Sequence, residues 1–596
     1  MQKHTYELGI IGNCAYIGLI DKTANIRWLC WPRFDSSFIF GDLLDQEKGG
    51  HFSVSGINGN VETNQYYIKN TNVLCTEFKT EEGAFRVTDF APRFEQYERY
   101  YKPLMLVRKI EPLQGTPKVK VSCCPVGDYG ARKPDIHFGS NHLRYLGLDE
   151  TVRLATNISL NYVKEETAFA LTEPKYLILT WGVPLEGPIE TTAEDFLRKT
   201  IHYWQHWVQH CTIENYHQDH IIRSALTLKV HQYEDTGAII ASATTSLPEH
   251  DQSGRNWDYR YCWMRDSFYT LMALNHIGHF EELYQYSSYV ENLTMSAMRR
   301  YNPVYTILGN EDFEERILDL SGYMENKPVR VGNQAKEHIQ NDVYGQILVS
   351  LLPAYVDERY VSQGRVKGTK LIYDLLDAIE KTMDEPDAGL WEFRNKSQKH
   401  CYTYLFHWAG ACSAQKIAQK IQDNKMLEIA LKLKEEASQH IEKCYNPELG
   451  AYTQAIGTTN MDASLLQLIT MNYLDPTSEK AAKHLNRLEE ELKTPEGLFF
   501  RYKHADDFGA PENTFLICTF WYIEALACVG RIQEAKALLD NILQYTNHLG
   551  LLSEDVHAKT GSQWGNFPQT YSHVGLMTAA SRIARKMDLP DFYTFS

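Results

Sequence analysis

The sequence has neither an excess of positive charge nor a long apolar run, and these two absences exclude whole classes of function. Its 60 Lys and Arg stand against 76 Asp and Glu, for a formal net charge of −16, whereas a protein that binds a nucleic-acid backbone needs a basic surface. No stretch approaches the roughly 18 consecutive apolar residues that a membrane-spanning helix requires. Neither nucleic acid nor a membrane is therefore expected as a partner.

Cysteine pairs at the spacing of a metal site or a disulfide framework are missing too. The twelve Cys are scattered, with one adjacent pair (Cys123 and Cys124) and no CxxC, so neither structure is predicted. Reduced thiols indicate a cytoplasmic protein, and the N-terminus lacks the apolar core and cleavage site of a signal peptide. We expect no cofactor and no metal.

What the sequence does have is length and a change of pattern. A chain of 596 residues is too long for one core, so two or more domains are expected. As far as about Gly182, short β-branched or aromatic segments alternate with polar, Gly and Pro breaks, which predicts an all-β domain of the antiparallel sandwich type. We place the domains at 1–190 (β-sandwich), 191–216 (helical linker) and 217–596 (helical domain).

The predicted linker carries three histidines at helical spacing, His202, His206 and His210. Positions i, i+4 and i+8 would place three imidazoles on one helix face, which is one way to build a metal site. No carboxylate accompanies them, and a polar surface stripe is the commoner outcome of such a pattern.

Beyond Asn215 the hydrophobic period is almost purely helical, and the helices come in pairs. We predict twelve of them, at 217–234, 267–277, 281–295, 339–354, 369–383, 403–421, 425–443, 461–473, 477–491, 514–529, 532–546 and 570–587.

The long connections between these helices precede every second one, so in an antiparallel succession they gather at one end. Six pairs could close into a toroid with a funnel at that end, and an open helical array would fit the same count. The long loops are NWDYRYCWMRD (256–266), PVRVGNQAKEHIQND (328–342), GLWEFRN (389–395), GAYTQAIG (450–457), FFRYKHADD (499–507) and LLSEDVHAKTGSQWGNFPQTYSH (551–573).

The first of these loops, NWDYRYCWMRD, has the strongest composition for ligand binding. It holds two Trp, two Tyr, two Arg and two Asp. Aromatic faces stack on sugar rings or bases, and Arg and Asp bond hydroxyls in fixed geometry, which suits a polyhydroxylated ligand. The alternative is a buried aromatic loop whose charges pair with one another.

Taken in order, the motifs NWDYRYCWMRD, PVRVGN, GLWEFR and LLSED…GNFPQTYSH, together with the opening IGNCAYIGLIDKTANIRWLCWPRFDSS, resemble glycoside hydrolase family 15. This family comprises glucoamylase-like and trehalase-like enzymes. The resemblance implies a mainly α protein with an all-β domain, in which an N-terminal antiparallel β-sandwich is followed by an (α/α)6 barrel that carries the catalytic site.

The resemblance also implies residue roles. Glu392 matches the family's general acid and Glu554 its general base, with the adjacent Asp555 as the competing candidate for the base. The implied substrate-binding residues are Arg265 and Asp266, which would hold glucose hydroxyls, Tyr259 and Trp263 as aromatic walls, Trp391 and Arg501 as further contacts, and Tyr571, which stands where fungal members carry Trp.

Hydrolysis with inversion requires a protonated carboxylic acid at the leaving oxygen and an ionised carboxylate that activates water on the opposite face. Leu390 and Trp391 beside Glu392 predict an apolar setting that keeps this residue protonated. Glu554 has Ser553, Asp555 and His557 as sequence neighbours, which predicts a polar setting and an ionised carboxylate.

We therefore predict an inverting, exo-acting glycoside hydrolase that releases glucose from the non-reducing end of α-glucans or maltooligosaccharides. The alternative is a trehalase of the same family, because both substrates present the same terminal glucose. An inverting phosphorylase and a non-catalytic carbohydrate-sensing protein are weaker hypotheses, since both catalytic Glu are retained. An oligosaccharide or disaccharide is the expected partner, and a homo-oligomer is compatible with the sequence.

Overall fold

The computed structural model describes residues 3–57, 61–296, 300–361 and 368–587. Its N-terminal part is built from antiparallel strands: β1 (Leu8–Gly12), β2 (Ile17–Asp21), β3 (Asn25–Cys30), β4 (Phe38–Phe40), β5 (His51–Gly56), β6 (Glu62–Tyr67), β7 (Leu74–Thr80), β8 (Gly83–Phe90), β9 (Phe94–Gln96), β10 (Arg99–Tyr101), β11 (Met105–Gly115), β12 (Lys118–Cys124), β13 (Asp135–Phe138), β14 (His142–Leu146), β15 (Val152–Thr156), β16 (Phe169–Ala170) and β17 (Lys175–Trp181).

All of these strands except β9 and β10 form two large sheets that face each other, and β9 pairs separately with β10. One has the order β1-β2-β3-β5-β12-β16 with β4 beside β3, and the other has the order β13-β14-β15-β17-β11-β8-β7-β6. Phe52 and Val121 from the first sheet share one buried core with Phe85 and Leu106 from the second, as the inner faces of a sandwich do. The predicted sandwich is confirmed. A five-residue helix, α1 (Leu160–Lys164), interrupts a region where only strands and turns were predicted.

The helical part begins with α2 (Ile189–Gln209), which contacts the sandwich. It continues with α3 (Gln218–His231), α4 (Met264–His276), α5 (Glu281–Ser296), α6 (Asp342–Val356), α7 (Glu358–Val361), α8 (Lys370–Thr382), α9 (Cys401–Ile421), α10 (Asn424–Glu442), α11 (Gln467–Thr470), α12 (Glu479–Leu492), α13 (Leu516–Cys528), α14 (Ile532–Ile542) and α15 (Thr570–Lys586).

Short two-residue and three-residue strands lie in the connections between these helices. They are β18 (Gln232–Tyr233), β19 (Ala238–Ile239), β20 (Cys262–Trp263), β21 (Val304–Tyr305), β22 (Arg316–Leu318), β23 (Val329–Val331), β24 (Tyr445–Asn446), β25 (Ala451–Tyr452), β26 (Thr514–Phe515), β27 (Asp555–Val556) and β28 (Gln563–Trp564).

Each of the twelve predicted helices has a counterpart, but the one predicted at 461–473 is much shorter. It consists of a 3-10 turn (Ala463–Leu466) followed by α11. The side chain of Asp462 accepts a hydrogen bond from the backbone of Ser464 and so starts the turn, and Asn472 lies in the left-handed region at φ 59°. The short helix α7 was not predicted.

The helical part closes on itself. Helices α4, α6, α9, α11, α13 and α15 form an inner ring, in which neighbours are in contact directly or through the 3-10 turn before α11, and α15 contacts α4. Every residue of α13 is buried, whereas the outer helix α12 buries one stripe (Ala481, Leu485, Leu488 and Leu492). Of the two arrangements that the helix count allowed, the structure has the closed (α/α)6 barrel.

In the described part of the chain, no helix is both long and apolar enough to cross a membrane. The histidine stripe of α2 is exposed. Nδ1 of His210 lies 2.8 Å from the carbonyl oxygen of His206, one turn earlier on the helix. The groups of described residues that could hold a metal ion do not include these histidines, which agrees with a surface stripe.

Candidate active site

A cavity lies where the inner helices begin, and all nine predicted site residues line it. They are Tyr259, Trp263, Arg265, Asp266, Trp391, Glu392, Arg501, Glu554 and Tyr571. Four further residues that were not predicted from the sequence also line it: Ala241, Leu390, Phe515 and Gln569. Leu390 and Gln569 lie within motifs that carry the family resemblance, and this position in the sequence could have identified them as lining residues. The lining residues all lie between 241 and 571, outside the β-sandwich.

Glu392 stands at the partly exposed side of this cavity. Its side chain is 24% exposed, and its backbone adopts the left-handed region at φ 59°. This conformation is costly for a residue with a Cβ and is found mostly where the surrounding structure enforces it. Trp263 Nε1 donates a hydrogen bond of 2.8 Å to Oε1 of Glu392, and Nη1 of Arg265 lies 3.5 Å from the same oxygen.

The apolar setting predicted for Glu392 is therefore wrong. The backbone carbonyl of Leu390, two residues before Glu392, accepts a hydrogen bond of 2.9 Å from Arg265. This contact brings the guanidinium of Arg265 to the loop that carries Glu392. Arg265 is 127 residues away in sequence, so the sequence neighbours could not indicate it.

Glu554 has the opposite surroundings. It is only 2% exposed, and its Oε1 accepts a hydrogen bond of 2.7 Å from the Tyr259 hydroxyl. Its carboxylate lies with those of Glu249 and Asp555 in a group whose nearest oxygens are all within 4.8 Å of one another. Burial, followed by repulsion from Glu249, raises the pKa of Glu554 well above the usual range. The polar setting predicted for Glu554 is present, but its burial raises the pKa, which is opposite to the effect that the sequence neighbours predicted.

Asp555, the competing base candidate, does not line the cavity. It belongs to β27, where it pairs with Phe515 on one side and Trp564 on the other. Burial raises the pKa of Asp555, and the charges of Glu249 and Glu554 raise it further. Between the two neighbours, cavity access favours Glu554 as the base.

Two adjacent aromatic residues connect the two catalytic candidates. Tyr259 bonds Glu554 and Trp263 bonds Glu392, and the two rings lie 5.4 Å apart, edge to face. Both carboxylates thus line one cavity, and each accepts a hydrogen bond from a different side chain of the same loop. This arrangement can place one group at a leaving oxygen and the other at an attacking water.

The remaining predicted sugar contacts are held by their own partners. Arg265 forms an ion pair of 3.1 Å with Asp266. Burial raises the pKa of Asp266, and this effect outweighs the positive charge of Arg265, which lowers it. The ring of Tyr571 packs between Tyr269 at 5.0 Å and Trp521 at 5.7 Å. Both alternatives for NWDYRYCWMRD hold, because its charges pair with each other and also face the cavity.

The other half of this loop faces away from the cavity and is braced by distant segments. Arg260 forms a buried ion pair of 2.7 Å with Asp258 and donates a hydrogen bond of 2.7 Å to the carbonyl of Ser36 in the β-sandwich. Asp258 accepts from the backbone N–H of Gly332, in the PVRVGN loop, at 3.1 Å. The sandwich and this loop therefore support the site from behind. The loop GAYTQAIG (450–457) contributes no lining residue.

Two family models and several named relatives match this chain. The family model described as "Glycosyl hydrolases family 15" matches residues 215–581, and the model described as "Trehalase-like, N-terminal" matches residues 4–175. Proteins named trehalase from Thermoplasma volcanium and Thermoplasma acidophilum are each 31% identical, over 589 and 577 residues. The alignments cover 96% and 95% of this chain, and 93% and 98% of those proteins.

A protein named trehalase from Mycobacterium tuberculosis is 29% identical over 623 residues, with 96% of this chain and 88% of its own length covered. Among solved structures, a bacterial glucoamylase complexed with acarbose superposes with a TM-score of 0.68 at 15% identity. That match covers 99% of this chain and 96% of the glucoamylase chain. It shows that the two proteins share the fold of a sandwich followed by a barrel.

Proposed function

The chain belongs to glycosyl hydrolases family 15 and is a glycoside hydrolase, and from this premise we propose that its substrate is the disaccharide trehalose. The family predicted from the motifs is confirmed. The observation that carries the narrower proposal is that relatives 31% identical over almost the whole chain are named trehalase. Hydrolysis of α-glucans is the first activity predicted from the sequence, but the likeness to the glucoamylase, at 15% identity, supports only the fold.

In this proposal the helical domain (217–596) carries out the reaction and the sandwich (1–190) braces it through the contact of Arg260 with Ser36. Arg265 and Asp266, which line the cavity beside Glu392, hold hydroxyls of one glucose unit. Trp263 and Tyr571 offer aromatic surface to the same ring.

Glu392 acts as the general acid. It gives its proton to the bridging oxygen as the bond from that oxygen to the anomeric carbon breaks, so that the second glucose leaves as a neutral alcohol. The backbone of Glu392 and its hydrogen bond from Trp263 fix the direction of the carboxyl group.

Glu554 acts as the general base. It takes a proton from water while the water oxygen bonds to the anomeric carbon from the opposite face, which inverts the configuration. The base must be ionised to do this, and the hydrogen bond from Tyr259 favours the ionised form.

Proton NMR of freshly released products tests substrate and stereochemistry together. Inverting hydrolysis of trehalose, which has two α-anomeric centres, gives equal initial amounts of α- and β-glucose, whereas retention gives α-glucose alone. In ¹⁸O-labelled water, only the β-glucose carries the label. Maltotriose under the same conditions tests the α-glucan alternative, and faster turnover of maltotriose than of trehalose would contradict the proposal.

Two further arms of the experiment address the remaining alternatives. Added inorganic phosphate should yield no glucose phosphate, because an inverting phosphorylase needs phosphate in place of the activated water. A non-catalytic sugar-sensing protein would bind glucose and turn over neither substrate.

A further inference from the structure

A buried acidic residue behind the cavity, Glu249, contacts both a cavity-lining arginine and the group around the base. It lies in the segment between β19 and β20 and is 6% exposed. Its backbone carbonyl accepts a hydrogen bond of 2.6 Å from the side chain of Asn513. The carbonyl of the preceding Pro248 accepts one of 2.7 Å from Gly565. The position of Glu249 is therefore set by the loops that carry Arg501 and Glu554.

The carboxylate of Glu249 holds the guanidinium of Arg501 with both of its oxygens. Oε2 lies 2.6 Å from Nη2 and Oε1 lies 3.5 Å from Nη1. A two-point contact of this kind fixes the plane of the guanidinium as well as its position. Arg501 lines the cavity, while Glu249 does not, so the orientation of Arg501 there depends on a residue that substrate does not touch.

Glu249 also changes the charge around Glu554. The nearest carboxylate oxygens of Glu249, Glu554 and Asp555 are all within 4.8 Å of one another, and like charges at such distances oppose each other's ionisation. The titratable and charged groups that interact with Glu554 are Glu249 and Tyr259 from the segment before β20, Arg501 from the loop before β26, Asp555 from β27 and Tyr6 from the N-terminus. Arg255 acts on the neighbouring Asp555, and Glu392 acts on Tyr259.

We infer that Glu249 is a positioning residue for hydrolysis, which holds Arg501 at the sugar and, together with Arg501, sets the charge balance around Glu554. The inference rests on the proposed function, in which Glu554 is the base, and on the sugar contact that the family resemblance implies for Arg501, which lines the cavity. A neutral side chain of the same shape would loosen Arg501 and remove one negative charge beside Glu554. These two effects appear in different kinetic quantities.

The test is Glu249→Gln, with kcat and KM measured on trehalose across the pH range. Loss of the two-point contact should raise KM about tenfold, because Arg501 is then less well placed. Loss of the repulsion lowers the pKa of Glu554, so the base stays ionised at lower pH and the acid limb of kcat/KM moves down by about one pH unit. The control is Glu512→Gln, whose side chain is 72% exposed, and it should change neither quantity.

Glu249→Asp keeps the charge but shortens the reach, so it should raise KM and leave the acid limb in place. If Glu249→Gln does not fold, as judged by circular dichroism and thermal unfolding, the KM of Glu249→Asp decides. An unchanged KM in the aspartate variant, or an unmoved acid limb in a folded glutamine variant, would overturn the inference. A wild-type protein that cleaves maltotriose faster than trehalose, or that cleaves neither, would instead overturn the proposed function.

Discussion

The two sides of the cavity differ in their electrostatics. On the Glu392 side the carboxylate is partly exposed and faces donors, the indole of Trp263 and the guanidinium of Arg265. On the Glu554 side the carboxylate is buried beside two others, and burial with repulsion raises its pKa. The free protein thus has cationic surroundings at the proposed acid and anionic surroundings at the proposed base.

This contrast teaches that the roles of the two carboxylates cannot be taken from burial alone. A general acid must hold a proton and a base must have lost one when the reaction starts. In the free protein, burial and the charge of Glu249 raise the pKa of Glu554 and of Asp555, so this side of the cavity favours the protonated form. Which carboxyl group is protonated during the reaction therefore depends on how the bound sugar changes the pKa of each one. Substitutions on the two sides of the cavity should separate the effect of the acid from that of the base.

The largest effect is expected from neutralising either carboxylate. Glu392→Gln and Glu554→Gln should each lower kcat on trehalose by about 10²–10⁴-fold, the usual contribution of general acid–base catalysis. On α-glucosyl fluoride, whose leaving group needs no proton, Glu392→Gln should recover most of the lost rate and Glu554→Gln should not. Steady-state kinetics with both substrates measure this.

If Glu554→Gln were the variant that recovers on the fluoride, the acid and base roles would be exchanged. Asp555→Asn is the matched control on the base side, because this neighbour is buried in the same group but does not line the cavity. Its loss of kcat should be clearly smaller than that of Glu554→Gln.

A smaller loss of kcat should follow when a methyl group is placed against Glu554 and the Glu392 side of the cavity is left unchanged. A Cβ on Gly565 would lie 2.6 Å from Cβ and Oε2 of Glu554, so Gly565→Ala should displace the base and lower kcat about ten- to a hundredfold. Gly457 has the same φ of +77°, and a Cβ added there would have no other atom within 4 Å. Gly457→Ala should therefore carry the same backbone cost of about 1–2 kcal/mol and leave kcat unchanged, and thermal unfolding with kcat separates the two effects.

Much of the fold could be predicted from the sequence because it depends on local periodicity. The alternating segments before residue 182 and the helical period after 215 are properties of consecutive residues, and they suffice for the sandwich and for eleven full-length helices. The helix predicted at 461–473 is shorter than expected, because the turn capped by Asp462 begins it and the left-handed Asn472 follows its end. The spacing of apolar residues, from which the helix was predicted, indicates neither limit.

The order of the long loops predicts that they meet at one end, and the family resemblance predicts which of their residues line the cavity. The electrostatics were not predictable, because they depend on residues far apart in the chain. Arg265 reaches Glu392 from 127 positions away, and Glu249 reaches the Glu554 group across about 300. No local pattern marks Glu249, an acidic residue in a loop just before the motif.

The smallest predicted effect compares the two hydrogen bonds that connect the aromatic pair to the carboxylates. Tyr259→Phe removes the donor to Glu554, and since that hydrogen bond lowers the pKa of Glu554, its loss raises the pKa. The acid limb of kcat/KM should therefore move up by about 0.5–1 pH unit, the direction opposite to that of Glu249→Gln. Trp263→Phe removes the donor to Glu392 and should lower kcat while the acid limb stays in place, because the hydrogen bond of Trp263 is to Glu392. Equal shifts of the acid limb in both variants would mean that this limb reflects the ionisation of several groups in the cavity and not that of Glu554 alone.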